Sequence, residues 1–298
     1  MTATGTRTPL LARTAAELRA ALPRDRADRS PHRAVVMTMG ALHAGHAALV
    51  RAAREAVGPQ GQVVVTVFVN PLQFGAGEDL DRYPRTLDAD LAVAAGEGAD
   101  AVLAPPVEEV YPGGEPQVRI AAGPMGERYE GAFRPGHFDG VLTVVAKLLH
   151  LTDPDIAVYG RKDAQQLALI RRMVRDLNYP VEVLGVPTVR DDDGLALSSR
   201  NRYLAAGERT TALALSRALF AARDTAAAGG TPRTAHSAAQ AVLDGAALDL
   251  DYLALVDPTD FTPAPPSFTG EAVLAVAARV GSTRLIDNLP LHFPGGTP

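Results

Sequence analysis

The sequence contains no cysteine among its 298 residues, and lysine is almost as scarce. Without cysteine the chain forms no disulfide, binds no metal through thiolates and uses no cysteine nucleophile. Its 29 basic residues comprise 27 arginines and only two lysines, Lys147 and Lys162. Codon bias and chance explain such a ratio. The alternative explanation is that a lysine is retained where an arginine does not serve.

Long apolar runs and excess positive charge are also missing. The longest apolar runs, 63–69 and 141–149, fall well short of the roughly 18 residues that span a bilayer. Residues 1–30 show no apolar stretch followed by a cleavage site, so no secretory signal is expected. The net charge is −5, whereas a protein that binds nucleic acid through phosphates is normally basic. These features predict a cytoplasmic protein with no membrane or nucleic-acid partner.

Hydrophobic residues make up 47% of the chain and charged residues 21%, as in an ordinary globular protein. The first part alternates predicted strands with predicted helices, which indicates a parallel sheet with helices on both faces. Such sheets bind ligands at the carboxyl ends of their strands. The predicted strands are 34–38, 62–69, 101–103, 156–159 and 181–186, with a further candidate at Val118–Ala121. The predicted helices are 14–22, 45–57, 87–95, 138–149 and 164–177.

The pattern changes beyond Val189. An alanine-rich helix is predicted at 208–228 and a second helix that ends at about residue 243, followed by strands at 249–256, 272–279 and 284–289. This indicates a smaller α+β domain. We therefore predict a first domain at 1–188 and a second at 189–298.

The first candidate site is the segment Met39-Gly40-Ala-Leu-His43-Ala-Gly45-His46, between the first predicted strand and helix. Backbone amides at a helix start attract anions, and glycine allows a phosphate to approach the backbone. Two imidazoles three residues apart can converge on such a group. A tight turn with two solvated histidines, or a partial metal site, is the alternative.

Two further clusters are rich in cations and hydroxyls. Tyr159-Gly160-Arg161-Lys162-Asp163 comes at the end of a predicted buried strand and suits a polyphosphate. The alternatives are that Asp163 is only a helix cap and that Lys162 is a solvated surface cation. Leu195-Ala-Leu197-Ser198-Ser199-Arg200-Asn-Arg202 lies at the predicted domain boundary and suits a phosphate tail, although a helix cap with neighbouring arginines explains it equally well. The segments around Asn70–Phe74 and Arg134–His137 are individually weak signals.

Taken in order, these segments resemble the pantoate–β-alanine ligase family. The resemblance covers roughly residues 34–205 and extends more loosely beyond them. Single motifs are shared with the wider nucleotidylyltransferase superfamily, but the ordered set is specific. The motifs that carry it are 38–46, 68–74, 82–86, 134–149, 160–166 and 185–204.

The resemblance implies a Rossmann-like domain that binds nucleotide and pantoate, and a smaller C-terminal lid domain. It also implies that ATP and Mg²⁺ are used to join pantoate to β-alanine, with AMP and pyrophosphate as products and pantoyl adenylate as the intermediate. The protein is expected to be a homodimer.

The resemblance also implies roles for particular residues. His43 and His46 contact the ATP phosphates, and Lys162, Ser198, Ser199 and Arg200 hold the β- and γ-phosphates. Asp90 helps to place Mg²⁺. The remaining nucleotide-binding residues are Met39, Gly40, Gly45, Gly160, Arg161, Asp163, Val189 and Leu197. Pantoate is expected to contact Gln73 and Gln166, with Asn70, Arg134 and His137 also among the substrate-binding residues.

Several residues depart from the usual family pattern: Met37, Ala89, Arg161, Ala164 and Leu197. None of these departures removes a group expected to act in catalysis, although Ala89 weakens the metal assignment. Two other functions remain open on the sequence. One is an adenylate-forming relative that acts on a different acid, which is disfavoured because both Gln73 and Gln166 are present. The other is a non-catalytic nucleotide sensor.

Overall fold

The computed structural model describes residues 8–25, 30–75 and 80–295. They form two compact units. The first comprises the described residues up to Gly160 together with Leu169–Val186, and the second comprises Arg161–Ala168 together with the described residues from Pro187 onward. The short segment 161–168 thus groups with the C-terminal part of the chain. The division of function at residue 188 stays a prediction.

The first unit is built around a six-stranded, fully parallel sheet of order β1-β4-β3-β2-β5-β6. The fold class predicted from the sequence is confirmed. The strands are β1 (Leu10–Ala12), β2 (Arg33–Thr38), β3 (Gln62–Val67), β4 (Ala101–Leu103), β5 (Ile156–Gly160) and β6 (Glu182–Val186). The helices are α1 (Ala15–Ala21), α2 (Ala44–Val57), α3 (Leu87–Gly96), α4 (Val107–Val110), α5 (Glu130–Phe133), α6 (His137–Thr152) and α7 (Ala164–Asp176).

The central strands β2 and β3 are almost continuously apolar, because a parallel sheet covered on both faces exposes neither side of its strands to water. Val36, Val63 and Val65 are fully buried, and Val50 and Ala53 of α2 pack in the same core. Strand order reverses at β2, whose neighbours are β3 on one side and β5 on the other. Their carboxyl ends therefore form the crevice where such folds bind ligands.

The second unit contains an antiparallel sheet of order β7-β8-β9 with two helices. Its long elements are α8 (Ala206–Ala227), α9 (Pro232–Asp244), β7 (Asp249–Val256), β8 (Gly270–Val280) and β9 (Thr283–Phe293). Every second residue of β8 from Ala272 to Val280 belongs to the core of this unit, as the two-residue period of a strand predicts. Ala275 and Ala277, on the opposite face of the strand, are also buried. Alanines on α8 and α9 belong to the same core.

Two predictions about strands were wrong. Val118–Ala121 forms no strand, and Val118 is 87% exposed. The last strand continues to Phe293 rather than ending at Leu289, although Pro290 follows. Proline lacks an amide hydrogen and is tolerated on edge strands, and β9 lies at the edge of its sheet. In the described residues, no helix is long and apolar enough to cross a membrane.

Candidate active site

The turn between β2 and α2 wraps around the carboxylate of Asp90. Gly40 and Ala41 both have positive φ, +87° and +52°. The amides of Ala41 and Leu42 donate to Asp90 Oδ2 and Oδ1 at 3.2 and 2.8 Å, and the hydroxyl of Thr86 donates to Oδ1 at 3.2 Å. A Cβ on Gly40 would lie 3.0 Å from Asp90 Oδ2. Asp90 therefore stabilises a backbone conformation that alanine rarely adopts.

The donor set around Asp90 does not fit a resident metal ion. The residue is 1% exposed, and its carboxylate already accepts three hydrogen bonds. In the described parts of the chain, no group of three or more His, Cys, Asp or Glu residues is placed to hold a metal. The predicted part of Asp90 in placing Mg²⁺ stays a prediction.

His43 and His46 form a reciprocal cap at the start of α2. His43 Nδ1 accepts from the Gly45 amide at 3.1 Å, and His46 Nδ1 accepts from the His43 amide at 3.2 Å. The ring centroids are 4.2 Å apart. A backbone amide only donates, so each Nδ1 is an acceptor and the proton of the neutral ring is on Nε2. The spacing of three residues thus makes a capping box that sets both imidazoles in the same tautomer.

A second polar group follows β3. Asn70 is 1% exposed and caps the 3₁₀ helix Pro71–Gln73 by accepting from the Leu72 amide at 3.3 Å. Asn70 Nδ2 donates to Gln73 Oε1 at 3.0 Å, and Gln73 Nε2 donates to Met39 Sδ at 3.2 Å. Gln73 and Met39, predicted on separate segments, thus come together at one edge of the sheet.

Helix α6 and Arg134, which precedes it, support the backbone of Gln73. His137 Nδ1 lies 2.9 Å from the Gln73 carbonyl oxygen, and Arg134 Nη2 donates to the same oxygen at 3.4 Å. A Cβ on Gly140 would lie only 2.2 Å from the Leu72 carbonyl oxygen and 2.8 Å from the Gln73 amide nitrogen. Glycine is therefore needed at residue 140 for α6 to approach this turn. Arg134 and His137, predicted to contact substrate, contact the backbone of Gln73 in this structure.

The predicted phosphate-binding residues Lys162, Ser198 and Arg200 meet in the second unit, where they line an open cavity of about 340 Å³, solvent included. Lys162 is half-buried and Arg200 is exposed, and neither forms a side-chain ion pair with another described residue. Asp287 also lines the cavity, but Arg190 binds both of its carboxylate oxygens at 2.6 and 2.9 Å. The cavity therefore presents positive charge.

The other predicted residues of the second unit lie around this cavity or along the chain beside it. Ser198 caps the 3₁₀ helix Ser199–Tyr203 by accepting from the Arg200 amide at 3.3 Å. The helix cap that the sequence offers as an alternative explanation of this segment is therefore observed. Leu197 donates its amide to the Val189 carbonyl oxygen at 2.9 Å. The segment around Lys162 also carries the exposed residues Arg161 and Asp163 and the half-buried Gln166. Ser199, which is half-buried, lies between Ser198 and Arg200. Gly160 ends β5 in the first unit.

Two buried residues that the sequence patterns do not indicate hold these segments in place. Asn288 Nδ2 donates to the carbonyl oxygens of Arg161 and Lys162 at 2.9 and 2.6 Å. Tyr111 donates its hydroxyl hydrogen to Asn70 Oδ1 at 2.7 Å. Both act on segments far away in sequence, so no local spacing indicates their roles.

The sequence profile of the pantoate-β-alanine ligase family matches residues 10–290. The chain belongs to this family. The family's known reaction is the ATP-dependent condensation of pantoate with β-alanine. A curated pantothenate synthetase from Streptomyces avermitilis is 63% identical, across 96% of this chain and 98% of that protein. One from Acidothermus cellulolyticus is 58% identical, across 97% and 93%.

Solved structures of the family share this fold. The crystal structure of pantothenate synthetase from Thermus thermophilus has a TM-score of 0.86 at 50% identity, and the match covers 94% of this chain and 98% of that one. The pantoate–β-alanine ligase from Francisella tularensis, complexed with βγ-ATP and β-alanine, has a TM-score of 0.74 at 29% identity. That match covers 94% of this chain and 97% of the other.

Proposed function

We propose that this chain condenses pantoate with β-alanine through a pantoyl adenylate, using ATP. The observation that carries the proposal is the reciprocal cap of His43 and His46, which gives both rings the tautomer with the proton on Nε2. Two neutral N–H donors at a helix start suit an anion that gains charge during a reaction.

In the first step, an oxygen of the pantoate carboxylate bonds to the α-phosphorus of ATP. The bond from that phosphorus to the bridging oxygen breaks, and pyrophosphate leaves with the electron pair. The carboxylate is already ionised, so this step needs no strong base. His43 and His46 donate to the oxygens of the α-phosphate, and catalysis rests on positioning and charge stabilisation.

The cavity of the second unit supports a role in binding the leaving group. Lys162 and Arg200 bring positive charge that no other described side chain neutralises, and Ser198 adds a hydroxyl donor to the lining. Ser199, the next residue along the chain, is proposed to add a second hydroxyl. These groups bind the β- and γ-phosphates and stabilise pyrophosphate as it forms. The remaining nucleotide-binding assignments on the Met39–Gly45, Gly160–Asp163 and Val189–Leu197 segments are part of the same proposal.

In the second step, the amine nitrogen of β-alanine bonds to the acyl carbon of the adenylate. The bond from that carbon to the phosphate oxygen breaks, AMP leaves with the electron pair, and the nitrogen releases a proton. Gln73 and Gln166 hold pantoate by hydrogen bonds during both steps. Asn70, Arg134 and His137 support this binding, since each contacts Gln73.

Mg²⁺ enters this proposal only as the cation carried by ATP, because no group of three or more His, Cys, Asp or Glu side chains in the described part of the chain is placed to hold a metal ion. No step is assigned to it. The homodimer and the cytoplasmic location expected from the sequence also remain predictions.

The first-step chemistry is tested by isotope exchange. Purified protein with ATP, Mg²⁺ and pantoate, but no β-alanine, should exchange labelled pyrophosphate into ATP. AMP should accumulate only when β-alanine is added. If ATP binds while neither exchange nor AMP formation occurs, the chain is a non-catalytic nucleotide-binding protein and the proposal fails.

The role of the histidine pair is tested by substitution. His46→Ala should lower the exchange rate by about 10²-fold or more, since the loss of one donor to a developing charge has an effect of that size. His236→Ala, on α9 in the second unit, is a control that should leave the rate unchanged. An unchanged rate in His46→Ala would remove the phosphate role proposed for His46.

A further inference from the structure

Tyr111 is a buried tyrosine that the proposed reaction does not use. It follows α4, is 3% exposed, and its ring centroid lies 6.0 Å from that of Phe68. Its hydroxyl donates to Asn70 Oδ1 at 2.7 Å. Burial raises the pKa of Tyr111, so the hydroxyl keeps its proton at neutral pH and remains a donor.

Two backbone partners with fixed roles identify which end of the Asn70 amide is the oxygen. The Leu72 amide can only donate, and it lies 3.3 Å from Oδ1. The Gly140 carbonyl can only accept, and it lies 3.2 Å from Nδ2. The oxygen of Asn70 therefore faces Tyr111, and its NH₂ group faces Gln73.

The Asn70 amide in turn sets the orientation of Gln73. Asn70 Nδ2 donates to Gln73 Oε1 at 3.0 Å, which occupies the acceptor end of the Gln73 amide. The donor end, Nε2, points to Met39 Sδ at 3.2 Å. A thioether sulfur is a weak acceptor, so an oxygen ligand would replace it at small cost. Gln73 thus offers N–H groups rather than its carbonyl.

We propose that Tyr111 is a positioning residue that acts through Asn70 to keep the NH₂ group of Gln73 turned toward the substrate. This inference rests on the proposed role of Gln73 in binding pantoate. It assigns the chemistry of the contact: Gln73 donates to an oxygen lone pair of the acid substrate.

Lys147, the second of the two lysines, lies over the ring of Tyr111. Its Nζ is 5.9 Å from the centroid of the Tyr111 ring. An ammonium at this distance is attracted to the π-face of a tyrosine. Lys147 therefore helps to hold the ring whose hydroxyl orients Asn70.

The first experiment compares Tyr111→Phe with Tyr179→Phe. Phenylalanine keeps the ring beside Phe68 and removes only the hydroxyl. Tyr179 packs against His150 and precedes β6, away from the carboxyl ends of the strands, so it serves as the matched control. Tyr111→Phe should raise the KM for pantoate roughly five- to tenfold, the usual effect of one lost hydrogen bond. The KM for ATP should stay unchanged.

The second experiment tests whether Tyr111 acts through Gln73. In a double-mutant cycle, Tyr111→Phe should raise the pantoate KM in the natural chain but cause no further rise in a Gln73→Ala background. Thermal unfolding of each variant checks that the fold is kept. Additive effects in the cycle, or a Tyr111→Phe enzyme that behaves like Tyr179→Phe, would overturn the inference.

The cycle also separates this inference from the proposed function. If Gln73→Ala alone leaves the pantoate KM unchanged, the proposed role of Gln73 fails and the inference fails with it. If Gln73→Ala raises the KM while Tyr111→Phe does not, pantoate binding by Gln73 stands and only the role of Tyr111 is lost.

Discussion

The candidate residues of the two units are held in different ways. In the first unit, His43, Asn70 and Gln73 are neutral and hydrogen-bond to nearby backbone or side-chain groups. In the second unit, Lys162 and Arg200 carry full charges and form no ion pair with other described side chains. The first arrangement selects a ligand by the direction of hydrogen bonds. In the proposed function, the second attracts the polyphosphate of ATP, whose geometry changes when pyrophosphate leaves.

The largest expected effect comes from removing charge in the second unit. Lys162→Ala should lower kcat/KM by roughly 10²- to 10³-fold, since a charge-assisted contact to a transferring phosphate contributes that much. Steady-state kinetics with varied ATP would measure it. Lys162→Arg keeps the charge but replaces a flexible ammonium with a planar fork, and should recover only part of the rate. Full activity in Lys162→Ala would show that charge is not what this unit contributes.

A smaller effect is expected from steric change in the first unit. Gly140→Ala places a Cβ 2.2 Å from the Leu72 carbonyl oxygen, so the 3₁₀ helix that carries Gln73 must move. Turnover with pantoate should fall about tenfold or more, with a loss of roughly 1–3 kcal/mol of unfolding free energy. Gly207→Ala, on α8 with nothing within 4 Å of the added Cβ, is the control and should be nearly neutral. Equal effects at both glycines would contradict the close approach of α6.

Asp90→Asn tests whether geometry or metal binding explains the buried carboxylate. The new NH₂ group would face a backbone amide, and the turn at Ala41 should lose roughly 1–3 kcal/mol of stability. Chemical denaturation and kcat would measure the loss. The Mg²⁺ concentration that gives half-maximal rate should stay the same. A large rise in that concentration would instead support the predicted metal role.

The smallest expected effect concerns Lys147. Lys147→Met keeps the aliphatic stem but removes the cation over Tyr111, and should cost about 0.5–1 kcal/mol of unfolding free energy. The unfolding free energy lost through Lys147→Met would be measured by denaturant unfolding in two backgrounds, the natural chain and the Tyr111→Leu chain. If the cation acts on the aromatic ring, the loss should disappear in the Tyr111→Leu background. An equal loss of unfolding free energy in the Tyr111→Leu background would show that Lys147 stabilises the protein through a contact other than the Tyr111 ring.

Much of the fold was predictable from local patterns. The predicted bounds of the apolar strands β2, β3 and β5 and of most long helices lie within two residues of the observed ones, because each element has a strong local period or composition. Helix α6 is an exception, since it ends at Thr152, three residues beyond its predicted end. The three-residue strand β1 was missed because three residues carry too little pattern. The strand predicted at Val118–Ala121 is wrong, because alternating apolar residues do not ensure that a sheet edge is available for pairing.

The candidate site was predicted less completely. The H-x-x-H spacing and the Lys162 segment are visible in the sequence, but the capping geometry that selects the histidine tautomer is not. The contacts from Asn288 to the Lys162 segment, and from Tyr111 to Asn70, join residues 126 and 41 positions apart. Neither depends on local periodicity.

The sequence by itself determined the class of fold, the family to which the chain belongs, and the scarcity of lysine. Only the tertiary structure decided what the two lysines do. Lys162 carries its charge into a cavity where no other described side chain neutralises it, whereas Lys147 lies over the ring of Tyr111. The composition gives only the number of lysines, whereas the electrostatic effect of each lysine depends on the groups that folding places within a few ångströms of its ammonium.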